Sequence, residues 1–147
     1  MSDTTVPLIV VGVDGSALSV EALRWAADHA RRIDGRLLAV TGFEVPWTIF
    51  FAPTATEADY AKVAREVLDA TVTEALGEDP GVPVEKHLAQ NRPAHALTEA
   101  CAGATLLVVG SHGRGELPGM HLGSVAGYCV HHAPCPVLVF RGEHTGR

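Results

Sequence analysis

Apolar residues cluster in four short runs: Leu8 to Val13, Arg36 to Val40, Thr105 to Val109 and Pro136 to Phe140. Each is rich in β-branched residues or Leu and lacks polar alternation, the pattern of strands covered on both faces of a parallel sheet. A fifth run, Val82 to Leu88, sets Val82 and Val84 against Glu85 and Lys86 and suits an edge or half-exposed strand. Helical spacing fills the intervals. From Ser16 to Arg32 the apolar positions are Val20, Leu23, Ala27 and Ala30, with Ser16 placed to cap the start. From Glu57 to Leu76 the stripe is Ala64, Val67, Leu68, Thr71, Val72 and Ala75, and Gly77 is a C-terminal stop. A third helix is predicted from Pro93 to about Gly103 and a fourth from Ser124 to about His131, ended by Pro134.

The resulting order, β-α-β-α-β-α-β-α-β, predicts an open parallel α/β sheet with helices on both faces. At 147 residues the chain reads as one domain, 1–147, large enough for its own core. One connection is unusual. Between Phe43 and Pro53 stand Val45, Trp47, Ile49, Phe50 and Phe51, so three of the four Phe and one of the two Trp fall in a loop. Two readings stay open there: a loop folded on the core, or a lid or contact surface.

Composition narrows the function classes. The chain is 47% hydrophobic and 19% charged, which fits a globular domain and excludes a disordered one. A net charge of −6 without any Lys/Arg run argues against nucleic acid or an anionic membrane as partner. No apolar stretch approaches the roughly 20 residues that span a bilayer. Three cysteines (Cys101, Cys129 and Cys135) without framework spacing, together with the short polar start, lead to the expectation of free thiols in the cytoplasm.

In open parallel sheets, ligands bind beyond the carboxyl ends of the strands where strand order reverses. Two strand ends carry suitable residues. The first is Gly12-Val13-Asp14-Gly15-Ser16; the second is Gly110-Ser111-His112-Gly113, followed after nine residues by Gly123-Ser124. In the second, Gly110 ends a strand and Gly113 permits a turn of positive φ, so that backbone N–H groups can converge. Gly123 and Ser124 open a helix, whose first amides and dipole favour an anion. Each charge-assisted hydrogen bond contributes roughly 1.5–3 kcal/mol, so three or four hold a polyphosphate without a lysine. The Ser124 hydroxyl adds a donor and Arg114 screens the outer phosphate. Neither a Walker loop nor a dinucleotide fingerprint is present. At the first strand end, Asp14 either accepts from a ribose hydroxyl or adenine amine, faces Mg²⁺, or caps the following helix.

At these residues the chain resembles the ATP-binding branch of the universal stress protein family. The spacing Gly110-x-x-Gly113-(nine residues)-Gly123-Ser124 matches that family's nucleotide motif. The opening Ile9 to Ser16 and the closing His131 to Val139 resemble its first and last blocks. The resemblance implies a Rossmann-like fold of the adenine nucleotide α-hydrolase type, with a five-stranded parallel sheet in the order 3-2-1-4-5. It also implies ATP, with Mg²⁺ as an accompanying ion, and a homodimer formed through the last strand. By position, Gly12 and Asp14 would meet the nucleoside and Gly42 would flank adenine. Val109, Gly110, Gly113, Gly123, Ser124 and Val125 would line the ribose and phosphates, with Arg114 beside them. Thr41-Gly42 departs from the His-Val pair of many relatives, which leaves the adenine wall less defined than the phosphate loop.

The expected role is a nucleotide-dependent stress or signalling module that is not an enzyme, beyond very slow ATP hydrolysis or autophosphorylation. No oriented third group joins Asp14 and His112, and Arg114 alone would clamp a transferring phosphoryl. The rivals are an ATP hydrolase of the nucleotide α-hydrolase group and a nucleotide-free dimerisation module. His112 and His121 flank the phosphate loop and are either pH-sensitive ligands or loop residues. His131, His132, Cys129 and Cys135 lie too close in sequence for a tetrahedral metal site without unwinding the helix, so no metal is expected.

Overall fold

The structure, a computed structural model, describes residues 6–51, 55–113 and 122–142. Its elements are β1 (Leu8–Gly12), α1 (Ala17–Arg32), β2 (Arg36–Phe43), a 3-10 turn (Trp47–Phe50), α2 (Glu57–Leu76), β3 (Val84–Gln90), α3 (Pro93–Ala100), β4 (Leu106–Gly110), α4 (Ser124–His132) and β5 (Val137–Phe140). Local chemistry sets the helix ends. The Ser16 side chain accepts from the Ser19 N–H at the start of α1. Thr56 and Asp59 form a reciprocal capping box at the start of α2, and Gly77 ends that helix at φ 68°. Pro93 supplies the first residue of α3, where its missing N–H costs nothing.

All five strands are parallel, in the order β3-β2-β1-β4-β5. The sheet separates two apolar layers. One joins Ile9 and Val11 of β1 to Leu23 and Ala27 of α1 and Leu68 of α2. The other joins Val10 and Val40 to Leu97 of α3 and to Ala126 and Cys129 of α4. Alternate β1 residues thus face opposite layers, and Ile9, Val10 and Val11 are all fully buried.

The expected fold stands, with local differences. β2 continues to Phe43, three residues beyond Val40, because β3 pairs alongside it as far as Gln90. β3 is an edge strand, as its alternation predicts. β5 lies at the opposite edge, as the order 3-2-1-4-5 implies, but its apolar run reads as a strand covered on both faces whereas all four of its residues are only half-buried. An apolar run therefore does not distinguish a buried strand from an edge strand. α3 closes at Ala100, earlier than Gly103, which takes φ 79° in the turn that follows. The aromatic loop is not folded into the core. Trp47, Phe50 and Phe51 are each at least 70% exposed, and the Trp47 and Phe51 rings meet edge-on. Its end, at Pro53, lies outside the described residues.

Candidate functional site

β1 and β4 are neighbours, while the chain runs from β1 to β2 on one side and from β4 to β5 on the other. The connections therefore part at the carboxyl ends of β1 and β4 and leave a crevice. A cleft of about 260 Å³ lies there, with walls more apolar than polar, as in small-molecule sites generally. Of the residues singled out from the sequence, Gly12, Asp14, Gly42, Val109, Gly110, Gly113, Ser124 and Val125 all line it. Gly123, the N-cap of α4, is not among the lining residues. Arg114 and His121 lie outside the described residues.

The first wall is the turn from β1 into α1. The Asp14 carboxylate accepts from the Ser16 N–H at 3.0 Å and from the Ser16 hydroxyl at 2.6 Å. Ser16 in turn caps Ser19, whose hydroxyl donates to the Ser16 carbonyl at 2.9 Å. Gly15 takes φ 85°, the left-handed conformation that lets the chain turn from strand to helix in so few residues. Asp14 thus lines the cleft and braces Ser16, and Ser16, not Asp14, is the residue that caps the helix. The turn is also fixed to the sheet. Val13 N–H donates to the Val40 carbonyl at 2.9 Å, and the buried Thr41 hydroxyl donates to the Val13 carbonyl at 2.8 Å.

The second wall runs from β4 to α4. Ser111 N–H donates to the Phe140 carbonyl at 2.9 Å, and Gly123 N–H donates to the Ser111 carbonyl at 2.7 Å. These bonds bring the two ends of the long connection together and set the first turn of α4 against the end of β4. Gly123 has no side chain, so α4 begins without a side-chain cap, in contrast to α1. A helix N-terminus of this kind presents amide donors and the positive end of the dipole to the cleft. His112 also lines the cleft, with its Nδ1 3.3 Å from the Ser111 hydroxyl.

Several lining residues escape sequence reasoning. Val13, Ser16 and Ser19 come from the first turn, Val40 from β2, Pro93 and Leu97 from α3, and Ala126 from α4. Those from α3 have no local signal, because only the sheet topology brings that helix to this end. Gly42 explains how it arrives. A Cβ there would lie 2.7 Å from Pro93 Cα and 3.0 Å from the Asn91 carbonyl oxygen, so the glycine makes room for the start of α3. The space left by its absent side chain is filled by the chain's own backbone, and Gly42 reaches the cleft as floor. The pairing of a strand-end glycine with a helix-opening Pro is the signal that was available.

The distal residues of α4 form a separate aromatic surface. The Tyr128 ring meets those of His132 at 4.2 Å and His95 of α3 at 5.0 Å, both tilted, and His131 Nδ1 lies 2.9 Å from the Gly127 carbonyl. Among the described residues no group of three His, Cys, Asp or Glu is arranged to hold a metal ion.

The sequence model described as "Universal stress protein family" matches residues 7–141. A universal stress protein of Mycobacterium tuberculosis (strain H37Rv) is 38% identical over 137 residues, which cover 90% of this chain and 45% of that protein. The chain thus spans about half the length of the curated relatives it matches. A universal stress protein solved in complex with cAMP aligns with a TM-score of 0.66 at 24% identity, over 95% of this chain and 98% of that one. The universal stress protein of Archaeoglobus fulgidus in complex with dAMP aligns at 0.61 and 23%, over 92% and 97%.

Proposed function

The chain belongs to the universal stress protein family, and on that premise we propose that it binds ATP, with Mg²⁺, in the cleft between β1 and β4. Nucleotide occupancy would then bias its conformation or choice of protein partner in a stress response, with little turnover. The observation that carries this reading is the convergence of two strand-to-helix turns on one cleft, one ending in a carboxylate and the other in a helix start without a side-chain cap. The nucleoside belongs beside Gly12, Asp14 and Gly42, because a carboxylate repels phosphates. The phosphates belong at Gly113, Gly123, Ser124 and Val125, where the α4 dipole favours negative charge. Arg114 follows this loop and would screen the outermost phosphate. The family relatives solved with cAMP and dAMP lend support, since both ligands are adenine nucleotides.

Binding rather than catalysis is the proposed activity. The Asp14 carboxylate is engaged with the Ser16 N–H and hydroxyl and so braces the turn. β5, a half-buried apolar edge strand of four residues, is the proposed seam of a homodimer. No described helix is long and apolar enough to cross a membrane, and the proposed location is the cytoplasm.

The deciding experiment is mass identification of nucleotide retained by the purified full chain. ATP recovered near one per chain is the expected result. An empty protein that also fails to bind added ATP would overturn the proposal in favour of a dimerisation module. Steady release of AMP and pyrophosphate at about 1 s⁻¹, an ordinary enzymatic rate, would overturn it in favour of a hydrolase.

A further inference from the structure

All three cysteines of the chain meet in one corner, at the end of the sheet away from the cleft. Cys101 closes α3, Cys129 lies within α4, and Cys135 stands between α4 and β5. Backbone register puts the first and last of these together. Leu107 pairs with Val137 across β4 and β5, Leu107 N–H donates to the Pro136 carbonyl at 2.9 Å, and the turn into β4 begins with Ala104 N–H donating to the Cys101 carbonyl. The segments carrying Cys101 and Cys135 therefore enter adjacent strands side by side. All three side chains belong to one apolar cluster, with Cys101 and Cys129 fully buried and Cys135 partly exposed. Cys135 packs against the cluster that holds Cys101 and Cys129. The Cys101 thiol also donates to the Thr98 carbonyl at 3.5 Å, and that of Cys135 to the Pro136 carbonyl at 3.4 Å.

Burial, reinforced by the neighbouring Cys135, pushes the Cys101 thiol up to about 12. Burial and the same neighbour push that of Cys129 up to about 11. Both remain protonated at neutral pH and neither meets solvent, so neither is where an oxidant attacks first. Cys135 is the accessible member.

We propose that this corner is an oxidation site at which a hydroperoxide converts Cys101 and Cys135 into an intramolecular disulfide. The Cys135 sulfur attacks the terminal peroxide oxygen and the O–O bond breaks, giving a sulfenic acid and releasing water or an alcohol. The Cys101 sulfur then attacks the Cys135 sulfur. The S–S bond forms, the S–O bond breaks, and the Cys101 proton leaves with the hydroxyl group as water. Two thiols are oxidised and one peroxide is reduced. Placement of both cysteines in the same packed corner makes the second step intramolecular, which offsets the weak nucleophilicity of a protonated Cys101.

The bridge encloses β4, the whole second wall of the cleft and α4 in one covalent ring.

The test treats the full reduced chain with hydrogen peroxide, alkylates the remaining thiols, and maps unreduced peptides by mass spectrometry. The expected result is loss of two of the three free thiols, a peptide pair joined through Cys101 and Cys135, and a chain that stays single on a non-reducing gel. Cys129→Ala should retain the bridge, and Cys135→Ser, a change at a partly exposed position, should abolish it. Retention of all three thiols would overturn the proposal. So would Cys135 oxidised to sulfinic acid without a linked peptide, a bridge through Cys129, or a disulfide between two chains. None of these outcomes depends on whether nucleotide binds.

Discussion

The turn after β1 and the connection after β4 occupy equivalent places, each ending a central strand and opening a helix on the cleft. They differ in where their polar groups are spent. The first closes on itself: Asp14 holds Ser16, Ser16 caps α1, and Thr41 fastens Val13 to the sheet. The second brings its two ends together through Ser111 and Gly123 but starts α4 with a residue that has no side chain to offer. The bonds that brace the first wall are made within the chain itself. A helix opened by glycine instead gains most when an anion supplies what the cap does not. On the proposed reading, the first wall would recognise a fixed shape and the second would recognise charge.

The strongest way to break this contrast is to give α4 the cap it lacks. Gly123 has φ −66° and ψ 173°, which any residue adopts. Gly123→Asp should leave stability unchanged or raise it by a few tenths of a kcal/mol. It should also put a carboxylate where the phosphates belong and lower ATP affinity about 100-fold, the loss of about two charge-assisted hydrogen bonds. Calorimetric titration beside thermal unfolding reads both, and a parallel fall in stability would mean simple damage instead. Next in size is Gly42→Ala. The added Cβ meets Pro93 backbone at 2.7 Å, and the overpacking should cost about 1–3 kcal/mol of unfolding free energy in denaturant.

Asp14 separates the two duties of the first wall. Asp14→Ala should weaken ATP about tenfold, or about 1.4 kcal/mol, and also destabilise the turn. Asp14→Asn keeps an oxygen that accepts from Ser16, so its melting temperature should match the parent while affinity still falls. Equal affinity in the Asn variant would place the nucleoside elsewhere. The smallest effect is expected at Ser16→Ala, which removes the α1 cap for about 1 kcal/mol of stability. ATP affinity should change there by less than a factor of about 3, since the cap contributes chiefly to the fold.

The fold was largely legible because its signals are local and repeated. Buried apolar runs, Ser16, Gly77 and Pro93 each mark an element boundary that the structure keeps. The walls contributed by the two central strand ends were legible for the same reason, since glycines and a helix start next to a strand form a contiguous pattern. Pro93 and Leu97 were not found as cleft residues, because only the sheet topology brings α3 beside the ends of the central strands, where Gly42 leaves room for it. β5 looked like an interior strand because hydrophobicity does not record how many neighbours a strand has. The cysteines, read singly, were buried apolar residues; only the pairing of β4 with β5 brings Cys135 to Cys101.

The Thr41–Val13 bond has a kinetic meaning as well. It is buried, and beside it the Val13 amide is bonded to Val40. Amide exchange at Val13 therefore requires opening of the central strands and should be as slow as that of β1 itself, although Val13 lies beyond the end of that strand. The nucleoside end of the cleft would then unfold with the sheet, as part of its cooperative unit.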